Sequence, residues 1–186
     1  EQRRRAKPFS GGIRPKVLFI INSGSHRAIE TSALLLEQTD WAVTIAVGRD
    51  ADMRRRIERL AVGRVAPCEV LGWTNRITDL LMTHHVVISK AGGATTQVVP
   101  GQEEGNYELL RRHDIGGRAE TAEGVVQLLR EAFAADGRGW EGWHQRVRAL
   151  ARPAAATDIA RFVLERHRPS ASDASHSIEP ETTHHE

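Results

Sequence analysis

The stretch "KVLFIINSGSHRAIETSALLLEQTDWAVTIAV", residues 16–47, decides how the rest of the chain is read. Its opening, Lys16–Asn22, is an almost unbroken apolar run rich in strand formers, as expected of a strand buried on both faces. Ser23-Gly24-Ser25 breaks that run. The next segment sets Ile29, Ala33 and Leu36 on one helical face, and Trp41–Val47 is a second apolar strand closed by Gly48.

Working outward, the same alternation recurs. Met53, Ile57 and Leu60 predict an amphipathic helix with Arg54-Arg55-Arg56 on its wet side. Cys68–Trp73 reads as a third strand, and Asn75 as the cap of a helix carrying Ile77, Leu80 and Leu81. Val86–Ser89 is a fourth strand. A short helix is expected from about Gly105 to Arg112, then a strand end near Ile115. Val125, Val126, Leu129 and Phe133 mark a further helix. Another stripe runs through Trp140, Trp143, Val147 and Leu150 until Pro153 interrupts it, and Ile159, Phe162 and Val163 give the last helix. Strand and helix alternating four times predict an α/β fold, a Rossmann-like parallel sheet with helices on both faces. The expected organisation is a linker over 1–15, one domain over 16–166 and a tail over 167–186 whose Ser, His, Glu and Thr content predicts disorder.

Composition narrows the function classes. The 186 residues, 40% apolar, suffice for one well-buried domain with unstructured flanks. The longest apolar run, Val17–Ile21, is far too short to span a bilayer. A lone Cys68 excludes an internal disulfide and suits a reducing compartment, so the cytoplasm or its membrane face is expected. The net charge of +2 hides an asymmetry. Residues 169–186 hold Asp173, Glu179, Glu181 and Glu186 and no Lys or Arg, which leaves 26 basic against 20 acidic residues elsewhere, a balance of +6. Such a body either attracts anionic partners or is simply solvated surface. Aromatic residues at 5% argue against a stacking platform for nucleic acid.

The segment "SKAGGATTQVVPGQEEGN", residues 89–106, is crowded. Parallel strands need a crossover of a dozen or more residues, usually a helix. Ala94–Gln97 can start a helix and cannot finish one, so about one crossover is expected to be missing between Gln97 and Val98, by deletion or by closing up of the numbering.

Ligands of parallel sheets bind beyond the carboxyl ends of the strands. Ser23, Gly24 and Ser25 after the first strand, and Gly92, Gly93, Ala94, Thr95 and Thr96 after the fourth, offer backbone N–H groups at helix starts. Glycine lets the backbone approach a phosphate closely, and Lys90 adds a full charge. The alternative is that both are ordinary turns. Neither matches G-x-G-x-x-G or the Walker pattern, which disfavours dinucleotide or ATP. Gln102, Glu103 and Asn106 supply donors and acceptors matched to sugar hydroxyls, or else form a solvated turn capping the helix at Gly105.

Together, "GWTNRITDLL", "VVISKAGGATTQ" and "VPGQEEGNYELL" resemble the C-terminal, donor-binding half of GT-B glycosyltransferases. The nearest type is the monogalactosyldiacylglycerol synthase family, related to the enzyme that adds N-acetylglucosamine to lipid-linked peptidoglycan precursors. The resemblance covers about residues 16–165. It implies a UDP-sugar donor and no further cofactor. The Gly-rich loops would hold the diphosphate, Gly72, Trp73 and Thr74 would border the uracil with Ile77 near it, and Gln102 and Glu103 would touch the sugar with Asn106 in support. It also implies a lipid or other hydroxyl acceptor and an N-terminal acceptor domain, with the catalytic base, that this stretch does not contain. One departure stands out: the family carries a Glu for the ribose hydroxyls just after the position of Gln97, where this chain has Val98.

The mechanism so implied has an acceptor hydroxyl attacking the anomeric carbon while loop amides stabilise the departing UDP. It calls for no metal, and none is expected. His84-His85 read as structural, on a helix-to-strand turn without a carboxylate at ligand spacing. His26 either touches phosphate or lies on the surface, and His113-Asp114 terminate a helix. Arg54–Arg56 and Arg111-Arg112 would let a peripheral enzyme rest on anionic lipid. Two other readings remain open. One is a UDP-N-acetylglucosamine 2-epimerase, whose carboxylates and His cannot be assembled here. The other is a non-catalytic nucleotide-binding scaffold, which Val98 favours.

Overall fold

Strands without a polar face must be covered on both sides, and the computed structural model shows how this chain covers them. It describes residues 12–21, 27–89 and 104–166, the backbone alone at 104–106. Two compact units divide the chain, Glu1–Ala149 and Leu150–Glu186.

The first unit holds a four-stranded parallel sheet of β1 (Lys16–Ile20), β2 (Ala42–Ala46), β3 (Cys68–Leu71) and β4 (Val86–Ile88), in the order β3-β2-β1-β4. Helices α1 (Ala28–Glu37), α2 (Ala51–Leu60) and α3 (Ile77–Thr83) alternate with the strands, followed by α4 (Glu104–His113) and α5 (Ala122–Leu150). The architecture is the expected α/β, Rossmann-like arrangement. Register aligns Phe19 with Ile45 on one side and Ile88 on the other, which leaves β1 central.

Alternation sorts the side chains. Val17, Phe19, Val43, Ile45 and Ile88 join the main core with Leu35 of α1, Ile57 of α2 and Val125 and Leu129 of α5. Leu18 and Thr44, paired in register, point to the other face, where α3 ends. There His84, just after α3, meets the Thr44 hydroxyl at 2.9 Å. Trp41, 1% exposed, closes the main core edge-on against Phe133 at 5.5 Å between centroids. Burying such side chains contributes about 1.5–3 kcal/mol each.

Several expectations are corrected. The buried face of α1 is Ala28, Thr31, Ser32, Leu35 and Leu36, rotated from the one read through Ile29 and Ala33. Ser32 can be buried because its hydroxyl donates to Ala28 O at 2.6 Å, leaving no unpaired donor. Leu60 and Leu81 lie exposed, so α2 holds the sheet through Ile57 and Met53, and α3 through Leu80. Asn75 does not cap α3: the helix starts at Ile77, and Thr74 Oγ1 accepts from Arg76 N at 3.1 Å. No strand forms at Ile115 among the described residues. Its N–H instead closes the end of α4 on Leu110 O at 3.1 Å, with Asp114 left-handed at φ 48°.

Between Val125 and Leu150 the chain reads as two stripes, and α5 breaks accordingly. Ala134–Gly137 leave helical geometry, with Ala135, Asp136 and Gly137 at φ 49°, 57° and 75°. A Cβ on Gly139 would lie 3.0 Å from Ala132 Cα and 3.2 Å from Glu131 O, so the two halves fold back at a spacing that only glycine suits. Trp140 is thereby turned under the sheet, donating to His85 O at 2.6 Å. Arg146 clamps Asp114, through its carbonyl and its carboxylate, both at 2.7 Å. In the second unit, α6 (Ala155–Arg166) follows Pro153, with Ile159, Phe162 and Val163 exposed.

Candidate functional site

In this sheet the topology reverses between β1 and β4. The chain moves outward from β1 through β2 to β3, then returns to the far side of β1 for β4. A crevice forms at such a switch point, outside the carboxyl ends of the strands. The two strands leading into the predicted phosphate loops are therefore neighbours, and Phe19 and Ile88 stand opposite each other just before they end. Ser23, Gly24, Ser25 and His26 lie outside the described residues, as do Lys90, Gly92, Gly93, Ala94, Thr95, Thr96, Gln102 and Glu103, and the side chain of Asn106. The expected break between Gln97 and Val98 and the tail from 167 also lie outside them.

The remaining predicted residues stand at the same carboxyl edge, after β3. Gly72 sits against a neighbouring turn: a Cβ there would meet Arg54 Nη1 at 3.4 Å and Gly48 O at 3.6 Å. Trp73 is 71% exposed, so its indole is not a core group. Thr74 closes the turn on Arg76, and Ile77 begins α3, half-buried. An open aromatic face on a tight turn at a strand's carboxyl end suits stacking with a planar ligand.

One residue absent from the sequence reading, Arg49, joins this turn. Gly48, at φ 64°, bends the chain after β2, and the Arg49 guanidinium that follows lies 4.9 Å over the Trp73 ring. Arg54 approaches from α2, its Nε held by Glu58 at 2.7 Å. Aromatic and cation are 24 positions apart, and no local pattern links them. Three of the other basic residues are paired within their helices: Arg55 with Asp52, and Arg111 and Arg112 with Glu108 at 2.7 and 3.9 Å. The hydrogen bond from Arg111 holds the Glu108 carboxyl below its usual range.

Both adjacent histidines are structural, as read. His84 Nδ1 contacts Leu80 O at 2.8 Å and Nε2 the Thr44 hydroxyl at 2.9 Å. Carbonyl oxygens only accept, so Nδ1 carries the proton and Nε2 accepts from Thr44. Burial lowers the His84 pKa, which keeps the ring neutral. His85 Nδ1 accepts from Lys16 N at 2.9 Å, and its ring meets Trp140 edge-on.

A recess of about 350 Å³ lies away from this edge, near the start of β3, lined by Glu58, Ala61, Val62, Arg64, Ala66, Cys68 and Val70. Arg64 there bridges Gln38 O and Trp41 O at 2.8 Å each, a structural staple, and burial lowers its pKa. Burial also raises the Cys68 thiol. Among the described residues no group of three His, Cys, Asp or Glu can hold a metal, and no helix is long and apolar enough to cross a membrane.

No family model matches the chain. Over 113 residues, 54% of this chain, it is 24% identical to the processive diacylglycerol beta-glucosyltransferase of Staphylococcus carnosus (strain TM300). The match covers 29% of that protein, so this chain corresponds to less than a third of its relative. The chain is thus similar in sequence to a glycosyltransferase over about half its length, and its sheet is Rossmann-like.

Proposed function

We propose that this chain is the donor-binding part of a UDP-sugar-dependent glycosyltransferase that delivers a hexose to a lipid or other hydroxyl acceptor. The observation that carries the reading is the switch point, because it makes neighbours of the two strands that run into the Ser23–Ser25 and Gly92–Thr96 stretches. The relative's name adds glucose as the sugar and diacylglycerol as the acceptor.

On this reading the acceptor hydroxyl, held by a separate domain, attacks the anomeric carbon as the bond to UDP breaks. Charge builds on the leaving diphosphate. Backbone N–H groups at Gly24, Ser25, Gly92, Gly93, Ala94 and Thr95 offset it, aided by the partial positive charge of helix N-termini. Lys90 and Thr96 complete the cradle, Gly72, Trp73, Thr74 and Ile77 face the base, and Gln102, Glu103 and Asn106 hold the sugar hydroxyls.

Calorimetric titration with UDP, UDP-glucose and UDP-galactose tests this. One UDP-sugar should bind more tightly than UDP, and Gly93→Val should abolish binding by filling the space a phosphate needs. Unchanged affinity in that variant removes the phosphate-loop assignment. Val98, where the ribose-binding Glu of the resembled family would stand, favours a second reading as a non-catalytic nucleotide-binding domain. Weak UDP binding without discrimination among sugars would select it.

A further inference from the structure

We propose that the turn between α2 and β3 is a membrane-docking surface, in which Val62 and Val65 enter the apolar edge of an anionic bilayer while Arg56 and Arg59 meet its headgroups. The inference goes beyond the donor-site reading above and does not depend on it. Helix α2 runs back from the carboxyl end of β2 to the amino end of β3, so this turn lies at the opposite edge of the sheet from Trp73.

The turn is folded inside out. Arg64 sends its charge inward, where Nη2 donates to Gln38 O and Trp41 O at 2.8 Å each, and its Nε and Nη1 are buried without a partner among the described residues. The valines on either side go the other way: Val62 is 80% exposed and Val65 96%. Water favours the reverse, a solvated guanidinium and covered aliphatic groups. Gly63, at φ 80°, turns the chain between Val62 and Arg64, and the anchored arginine holds the turn in that arrangement. Leu60, 43% exposed, ends α2 just before them, so three large aliphatic residues meet water within six positions. Apolar exposure of this kind marks a surface that another apolar phase covers.

Charge says what that phase is. Residues 51–65 hold five arginines and two acids, a balance of +3. Both acids are committed, Asp52 to Arg55 and Glu58 to Arg54. Arg56 and Arg59 are exposed and have no carboxylate partner among the described residues. With Leu60 they stand at i, i+3 and i+4, on one face at the end of α2. Of the cations expected from the sequence to meet lipid, Arg54, Arg55, Arg111 and Arg112 are instead paired with carboxylates, which leaves Arg56 and adds Arg59. Free cations beside apolar tips that touch almost nothing fit an anionic bilayer, which flows around each tip and offers phosphate at the level of the cations. A protein partner would instead need a shaped pocket for each valine.

The test is co-sedimentation of the 186-residue chain with vesicles of phosphatidylcholine, alone or mixed with an equal part of phosphatidylglycerol, at low and moderate salt. Wild type should bind the mixed vesicles, leave them as salt rises, and not bind phosphatidylcholine alone. Arg56→Gln with Arg59→Gln should weaken binding about 25-fold, about fivefold for each charge lost. Val62→Asp with Val65→Asp should weaken it about tenfold or more. All four side chains are exposed, so both double variants should keep the wild-type circular dichroism spectrum. Insertion is read separately from adsorption: an environment-sensitive fluorophore on Val65→Cys, in a Cys68→Ser background, should shift its emission to the blue with mixed vesicles only. Equal binding to both vesicles, binding to neither, undiminished binding by the double variants, or a label that stays in water each overturns the inference. So does wild type that ignores vesicles and self-associates in sedimentation velocity while the valine variant stays monomeric, which would show that a second copy covers the turn.

Discussion

Replacing His84 by phenylalanine separates the hydrogen-bonding role of this residue from its bulk. The ring volume stays and two hydrogen bonds go, one to Leu80 O at 2.8 Å and one from the Thr44 hydroxyl at 2.9 Å. Leu80 O keeps the backbone N–H of position 84 at 3.1 Å and is not stranded. Thr44, 7% exposed, loses its His84 partner. One lost bond at about 1 kcal/mol and one stranded hydroxyl at about 1–2 kcal/mol predict a loss of about 2–3 kcal/mol. For a domain of this size that lowers Tm by roughly 5–10 °C. The pH dependence is a second readout. Above the ordinary imidazole pKa of 6.5 the folded and unfolded chains both carry neutral His84, and its bonds contribute in full. As pH falls below 6.5 the unfolded chain takes up a proton that burial, opposed by the Leu80 hydrogen bond and Glu69 and aided by Lys16, denies the folded one. Wild-type stability therefore declines until the lowered folded pKa is passed, whereas the His84→Phe variant has no group to titrate at this position. Urea unfolding followed by circular dichroism at about pH 7.5 and about pH 5 should show the gap between wild type and variant narrowing with acid. A loss under about 0.5 kcal/mol, or a gap independent of pH, would refute the assignment of a neutral, doubly bonded His84.

Two further substitutions probe the packing that holds the edge in place. Trp41→Ala removes a fully buried indole and its edge-on contact with Phe133, and urea unfolding should show a loss of about 3–5 kcal/mol. Gly139→Ala would gain about 1 kcal/mol in an ordinary helix. Here the added methyl meets Ala132 Cα at 3.0 Å across the break, and thermal unfolding should show a net loss of about 1–2 kcal/mol.

Much of the fold was legible in short windows. Continuous apolar runs such as "KVLFI" need no partner to be recognised as strands, because a residue's hydropathy and backbone preference travel with it. For the same reason Gly48, Gly72 and the end of α4 at His113-Asp114 were readable as punctuation. Windows failed where a polar atom is satisfied privately. Ser32 bonds its own helix, so a residue that scales count as polar sits wholly inside. They failed again at Ile115, whose apolar character serves a turn and not a strand.

The candidate site divides in the same way. Its glycines and the exposed Trp73 could be singled out from the chain alone, since each has a local signature. The strand order was not there to read: whether β4 lands beside β1 or beyond β3 is settled by which faces must be buried together, and that is a property of the assembled layers. Only that order makes neighbours of β1 and β4 and places β2 between β1 and β3. Arg49 over Trp73 and His84 on Thr44 follow from it, joining positions 24 and 40 residues apart that periodicity cannot connect. Sequence thus determined which segments are strands, helices and turns, because those preferences are local; tertiary structure decided which turns meet, because burial is collective.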